Sequence, residues 1–378
     1  MRSGTRDPSH SIRASLPVSS VVFRYGLALT WHRKCFAQYV MTKAVKRMET
    51  YRIRGSTAKL PRKLLFPLSF GPSSGSLLQI LDQHLQGQYN RMNRAAYELF
   101  VVHIDLYVED TDRKASAALL EKYKSRFPRH SFCRFGLEEA LLLDVIDWKP
   151  LNLPGAAVED IQRPATQRLQ QLIGSMPSAT SRADIISTLL TRLLVDVAKR
   201  KDCESILFGD STTRLAQKTL TETAKGRGFS LPWQVSDGMS PHGIAFNYPL
   251  RDLLKKELVA FSSLNKHSLK ELIIYQEPSS HISAPSKLTT IDDLMAQYFE
   301  SVEENYPSIV ANVVRTSSKL QPAADPNAMA CNLCGLPVAE GADGIFGWGG
   351  DQNSHSWPAR DIDLGNILCY GCSRSIHS

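Results

Sequence analysis

The chain has 378 residues, 43% hydrophobic and 22% charged, with a formal charge of +8. That composition excludes a wholly disordered chain, and the lack of any run of eighteen apolar residues excludes a membrane-spanning helix. The excess of Lys and Arg suits a polyanionic partner, because clustered cations bind phosphate with release of counterions, although a merely basic protein has the same balance.

The first 48 residues hold nine Lys or Arg and one acid, Asp7. This is the composition of a mitochondrial presequence or of a basic flexible tail, and residues 1–30 are expected to be an arm. From Trp31 to Tyr51, Phe36, Tyr39, Val40, Lys43 and Arg47 fall at helical spacing, predicting an amphipathic helix with one basic side. Such a helix can pack by its apolar stripe or bind RNA through Lys43 and Arg47.

The apolar run Lys63 to Leu68 ends at Ser69-Phe70-Gly71-Pro72-Ser73-Ser74-Gly75, followed by a helix carrying Leu77, Leu78 and Leu81. A second strand is predicted from Glu98 to Leu106, a helix from Lys114 to Arg126 and a strand near Ser131 to Phe135. Strands alternating with helices imply βαβ crossovers and a parallel sheet with helices on both faces, an α/β fold. After a Pro-rich loop at 149–164, helices are expected through Leu172 and from Ala183 to Arg200. A buried strand is read at Ser205–Asp210, a helix at Ser211–Lys225, an αβ-like unit at Ile244–Leu264, and a helix at Thr289–Asn305 with Leu294, Met295, Tyr298 and Val302 on one face. Residues 317–328 have linker composition. The expected organisation is therefore the arm at 1–30, a basic helical segment at 31–60, the α/β domain at 61–316, a linker at 317–328 and a cysteine module at 329–378.

A Ser- and Gly-bearing turn between a strand and a helix brings backbone N–H groups together at a positive helix N-terminus, which suits phosphate. Ser69, Gly71, Ser73, Ser74 and Gly75 occupy that position, though the same residues also make plain turns and caps. The turn lacks the Gly-Lys-Ser/Thr ending of a Walker A loop. Farther along, Asp210 or Ser211 can cap a helix whose Arg214, Lys218, Lys225 and Arg227 form a basic face, suited to a phosphate backbone or to solvent alone.

Cys331-x-x-Cys334 and Cys369-x-x-Cys372 are two knuckles whose four thiolates would close a tetrahedral structural zinc site, with an Fe–S cluster as the lesser possibility. Gly335 and Gly371 fit knuckle turns, and the 34 residues between the pairs must loop out with Trp348 and Trp357. His355 and His377 are read as bystanders and Cys35 is assigned to no metal. Cys133 and Cys203 sit beside apolar strand residues, as structural thiols do.

The segment KLLFPLSFGPSSGSLLQILDQHL resembles the pyrophosphate-loop (PP-loop) motif of the N-type ATP pyrophosphatases, Ser-Gly-Gly-x-Asp-Ser after the first strand. Here Phe70 replaces a glycine and Ser73 replaces the acid that would hold Mg²⁺. Both departures weigh against ATP binding. The run SILFGDSTTRLAQKTLTETAKGRGFSLPW resembles the second hallmark of the cytoplasmic tRNA 2-thiolation protein 2 family through Gly209, Asp210, Ser211, Thr213, Arg214, Leu215, Ala216, Lys218, Gly226, Arg227 and Gly228, and the paired cysteines resemble its tail. Catalytic relatives carry Asp-Asp where this chain has Thr212-Thr213. Cys35-Phe36-Ala37-Gln38-Tyr39 matches the end of the family's N-terminal cysteine module, whose earlier cysteines are missing here.

The resemblance implies a PP-loop, adenine nucleotide alpha hydrolase-like fold in a cytoplasmic, tRNA-binding subunit with no assigned catalytic residue. It further implies a partner, the catalytic cytoplasmic tRNA 2-thiolation protein 1, served by a ubiquitin-like sulfur carrier that supplies a thiocarboxylate. The product would be 2-thiouridine at the wobble position of tRNAs for lysine, glutamate and glutamine. Two other readings stay open: an ATP-dependent tRNA sulfurtransferase in its own right, and a zinc-module scaffold that binds protein.

Overall fold

The computed structural model describes residues 24–25, 29–30, 33–52, 61–106, 110–156, 162–264, 269–274, 289–322, 329–338 and 367–377. Its centre is a six-stranded sheet. Strands β1 (Arg62–Pro67), β2 (Tyr97–Asp105), β3 (Ser131–Gly136), β4 (Ser205–Leu207), β5 (Gly238–Met239) and β6 (Ala245–Asn247) lie in the spatial order β3-β2-β1-β4-β6-β5. All pairs are parallel except β5 with β6. The antiparallel edge strand was not foreseen from sequence, because two residues containing a glycine carry no alternation to read.

The alternation of β1 explains the layers. Leu64 and Phe66 point into one core with α1 (Arg33–Arg47), α2 (Pro72–Met92), α3 (Asp110–Arg126) and α8 (Lys255–Leu264). Leu65 points into the other, with α4 (Ala165–Gly174), α5 (Ala179–Arg200), α6 (Thr212–Ala224), α7 (Leu231–Val235), α9 (Ile291–Asn305) and α10 (Pro307–Ser317). Both faces are therefore covered, which a parallel sheet requires.

Helix α1 matches its expected span and turns Phe36, Val40 and Ala44 inward, with Met48 one further turn on. Helix α9 departs from expectation. Leu294 and Tyr298 are exposed, and the buried side chains are Phe299 and Glu303. Apolar spacing misplaced the face because a buried carboxylate dominates it: Glu303 accepts from Thr213 Oγ1 at 2.5 Å and from the Lys256 amide at 2.9 Å. Helix α10 occupies residues just before the expected linker, and Ser317, the first expected linker residue, is its last.

A last helix, α11 (Tyr370–His377), lies against α5. Cys331, Leu333, Val338, Cys369 and Cys372 belong to the same apolar cluster as α5 and α6, so the cysteine segment continues the main core. The expected arm at 1–30, apart from the antiparallel pair Arg24–Tyr25 with Leu29–Thr30, and the insert with Trp348, His355 and Trp357 lie outside the described residues.

Candidate nucleotide cradle and metal centre

The strand order reverses between β1 and β4, and in open α/β sheets ligands bind beyond the carboxyl ends of the strands at that point. The two loops singled out in the sequence leave these two strands. Ser69, Gly71, Ser73, Ser74 and Gly75 lead from β1 into α2, with Gly71 as N-cap and Pro72 at the first turn. Gly209, Asp210 and Ser211 lead from β4 into α6, where the Ser211 hydroxyl accepts from the Arg214 amide at 3.3 Å. The loops touch. A Cβ on Gly209 would lie 3.0 Å from Ser74 Cα, so a side chain there would force the Ser74 backbone to shift by a few tenths of an ångström.

Phe70, within the first loop, packs into the apolar core beneath α2 and α3. Its φ of +60° is the left-handed conformation that glycine adopts freely, so the position keeps a glycine-like backbone beneath a phenylalanine side chain. The ring is buried and stacks on His103 at 4.1 Å and on Tyr123 at 5.5 Å. The segment at 269–274 closes over it. The Ile274 amide donates to the Phe70 carbonyl at 2.8 Å, and a Cβ on Gly75 would meet Ile273 Cγ1 at 3.3 Å and the Tyr123 hydroxyl at 2.9 Å. Ser69 Oγ lies 3.0 Å from Ser74 Oγ, and Ser74 donates to the Gly71 carbonyl at 3.2 Å, so local partners occupy hydroxyls a phosphate would need.

A buried polar cluster missed in the sequence supports Phe70 from below. His103 Nδ1 lies 2.7 Å from the Leu68 carbonyl, and its Nε2 lies 3.2 Å from Asp105 Oδ1 and 2.8 Å from Ser116 Oγ. Ser116 donates to Asp105 at 2.5 Å, and Arg134 Nε lies 2.6 Å from the other Asp105 oxygen. Burial lowers the His103 pKa, against the pull of the Leu68 carbonyl and Asp105. The sequence hint was two polar residues, His103 and Asp105, at the end of a strand whose one other charged residue, Glu98, is exposed.

Thr212 and Thr213 are buried and committed. Thr212 donates to the Arg251 carbonyl at 2.8 Å, and Thr213 binds Glu303 while accepting from the Lys255 amide at 2.9 Å. Burial raises the Cys203 pKa to about 11, which suits an inert core thiol.

The expected basic face divides in two. Arg214 is exposed and Lys218 partly so. Lys225 and Arg227 instead point inward, a correction to the sequence reading. Lys225 Nζ lies 2.6 Å from Asp184 and also pairs with Asp292, while Arg227 reaches Asp184 at 3.0 Å, the Gly371 carbonyl at 3.2 Å and Ser375 at 2.7 Å. The Gly226-Arg227-Gly228 turn docks the second cysteine knuckle: Gly226, at φ +73°, faces the Tyr370 ring, which would stand 2.4 Å from a Cβ there. On α1, Lys43 donates to the Asp252 carbonyl at 3.1 Å and Arg47 pairs with Asp252 at 2.6 Å, tying the helix to the chain before α8.

Cys331, Cys334, Cys369 and Cys372 converge as expected, with all four sulfurs within 4.8 Å of one another. Three are buried and Cys334 is partly so. Hydrogen bonds from the other three sulfurs push Cys331 far below the usual thiol range, and contact with Cys331, together with burial, pushes Cys334 and Cys372 up. Four cysteine sulfurs in so small a volume is the arrangement that a divalent ion or a cluster satisfies by binding all four as thiolates. His377 sits exposed at the end of α11.

A doubly covered parallel sheet, two apposed switch-point loops and a C-terminal four-cysteine cluster define a PP-loop-type α/β protein with an altered loop. The solved U34-tRNA thiolase NcsA from Methanococcus maripaludis, with its 4Fe-4S cluster, shares this fold: TM-score 0.53 over 83% of this chain and 89% of that one, at 14% identity. A sequence model of cytoplasmic tRNA 2-thiolation protein 2 matches residues 290–345. The protein of that name from Sclerotinia sclerotiorum is 67% identical over 281 residues, 74% of this chain and 75% of that one. Its counterpart from Phaeosphaeria nodorum is 49% identical over 347 residues, 90% of this chain and 88% of that one. The chain belongs to the cytoplasmic tRNA 2-thiolation protein 2 family. Among the described residues no helix is long and apolar enough to cross a membrane.

Proposed function

We propose that the chain acts in tRNA 2-thiolation in the cytoplasm as a tRNA-binding subunit that does not itself adenylate. Its catalytic partner is the PP-loop protein cytoplasmic tRNA 2-thiolation protein 1. That partner activates the wobble uridine with ATP and receives sulfur from the thiocarboxylate of a ubiquitin-like carrier, giving 2-thiouridine in tRNAs for lysine, glutamate and glutamine. Family membership supports the process, and one observation supports the division of labour: Phe70, at a position where the motif has glycine, is buried against His103 and Tyr123, and Ile273 packs beside Gly75 in the first turn of α2. Ser73 offers no carboxylate for Mg²⁺, and the hydroxyls of Thr212 and Thr213 are taken by structural bonds.

The exposed Arg214 and the partly exposed Lys218 on α6 supply cationic contacts for tRNA phosphate. Four thiolates fit Zn²⁺, which would be held by Cys331, Cys334, Cys369 and Cys372 with no position left for substrate; bound there, it cross-links the two knuckles. The test is AMP release on tRNA by the purified chain, alone and with its partner. The expected result is release only with the partner, unaffected by Ser69→Ala in this chain; release by the isolated chain that Ser69→Ala abolishes would overturn the assignment.

A further inference from the structure

Two arginines flank the four sulfurs, one to each knuckle. Arg192 of α5 and Arg227 of the turn after α6 are each 8% exposed. A Cβ on Gly335, the residue after Cys334, would lie 2.0 Å from Arg192 Nη1. A Cβ on Gly371, the residue before Cys372, would lie 2.1 Å from Arg227 Nε. Both knuckle glycines therefore stand where a guanidinium presses against the cysteine loop.

Protein partners among the described residues leave Arg192 without a counter-charge. Arg192 bonds only uncharged groups, the Val145 carbonyl and His242 Nδ1 at 3.2 Å, and no carboxylate among the described residues pairs with it. Arg227 pairs with Asp184 at 3.0 Å and with Glu222 at 4.0 Å, and Lys225 beside it pairs with Asp184 and Asp292, so carboxylates already answer this cation. The Nε of each arginine is buried with no hydrogen-bond partner among the described residues. A buried charge without a counter-charge costs several kcal/mol. A divalent ion bound by four thiolates carries two negative charges, the counter-charge that Arg192 lacks and one that lies beside the knuckle Arg227 touches.

We propose that Arg192 and Arg227 are the outer-sphere partners of the metal centre, one per Cys-x-x-Cys pair, and that their charge makes the site hold a dianionic four-thiolate centre. This rests on the metal reading above. Arg192 addresses the Cys331–Cys334 knuckle from α5, and Arg227 addresses Cys369–Cys372 from the turn after α6, so metal binding joins both helices to the cysteine segment. Donors of this kind tune affinity because they stabilise charge on the ligand atoms, and losing one costs about 10–100-fold in metal affinity.

The test uses the full chain loaded with Zn²⁺ and titrated with a chromophoric chelator, and the same chain loaded with Co²⁺ for its thiolate-to-metal absorption. The expected result is one ion per chain in the parent protein and a roughly 10–100-fold weaker affinity in Arg192→Met and in Arg227→Met. Arg192→Lys should recover most of the loss, and saturating Co²⁺ should give the four-thiolate spectrum in every variant. Methionine variants that bind as tightly as the parent would overturn the inference. So would Arg192→Lys binding as weakly as Arg192→Met, or a cobalt spectrum showing lost thiolates, because packing rather than charge would then explain the effect. If the parent chain binds neither zinc nor an iron–sulfur cluster, the metal reading itself falls and takes this inference with it.

Discussion

Phe70 combines a glycine-like backbone with a large buried side chain, and the two features pull in opposite directions when it is replaced. Truncating a buried phenylalanine to alanine costs about 3–5 kcal/mol. A left-handed φ penalises alanine against glycine by roughly 1–2 kcal/mol. Phe70→Gly should therefore be less destabilised than Phe70→Ala, the reverse of the usual order, as measured by urea unfolding. The neighbouring His103 has a lowered pKa in the folded chain, so the unfolded state takes up its proton first as pH falls. Its contribution to stability is complete above the ordinary histidine pKa of about 6.5 and is lost as pH falls from there through the lowered folded value. His103→Gln should flatten that part of a stability-against-pH curve.

At the scale of elements, α9 is held by polar contacts to α6 and α8 as well as by the buried Phe299. Glu303 bridges Thr213 of α6 to the amide of Lys256 in α8. Glu303→Ala would leave that buried amide and hydroxyl unpaired, at roughly 1–3 kcal/mol for each group. The expected loss should appear in equilibrium unfolding, whereas Leu294→Ala on the exposed stripe should change stability little. Helix α11 docks through polar groups as well, with Ser375 donating to Asp184 at 2.9 Å beside Arg227. The glycines of the Gly226-Arg227-Gly228 turn and of the second knuckle make that docking possible: Gly226 admits the Tyr370 ring and Gly371 admits the Arg227 guanidinium.

For the whole molecule, a net charge of +8 favours the polyanionic partner proposed above, and the fold decides which cations are exposed to meet it. Arg214→Glu and Lys218→Glu should weaken tRNA binding and make the dependence of affinity on salt shallower, by about 0.7–0.9 in logarithmic slope for each phosphate no longer neutralised. Arg227→Glu should act differently, lowering stability and metal retention, because its side chain is enclosed by Asp184, Ser375 and the second knuckle. A salt titration of each variant beside its thermal unfolding separates the two behaviours.

Short-range pattern made much of the molecule readable. The βα alternation predicted the parallel sheet, strand–turn–helix junctions marked both switch-point loops, and Cys-x-x-Cys spacing marked all four sulfurs, because each is a local consequence of residue type and period. Only tertiary structure decided how the side chains of those local motifs are used. It brought Gly209 against Ser74, put the Phe70 ring over His103, turned Lys225 and Arg227 from an apparent basic face toward Asp184, and set Arg192 beside Gly335. Periodicity reports which face of a helix is apolar, but a charged residue's partner lies wherever the chain returns, here more than forty residues from Lys225 and Arg227 at Asp184 and Asp292. A charge pattern along the sequence therefore identifies cations without saying whether phosphate, carboxylate or thiolate answers them.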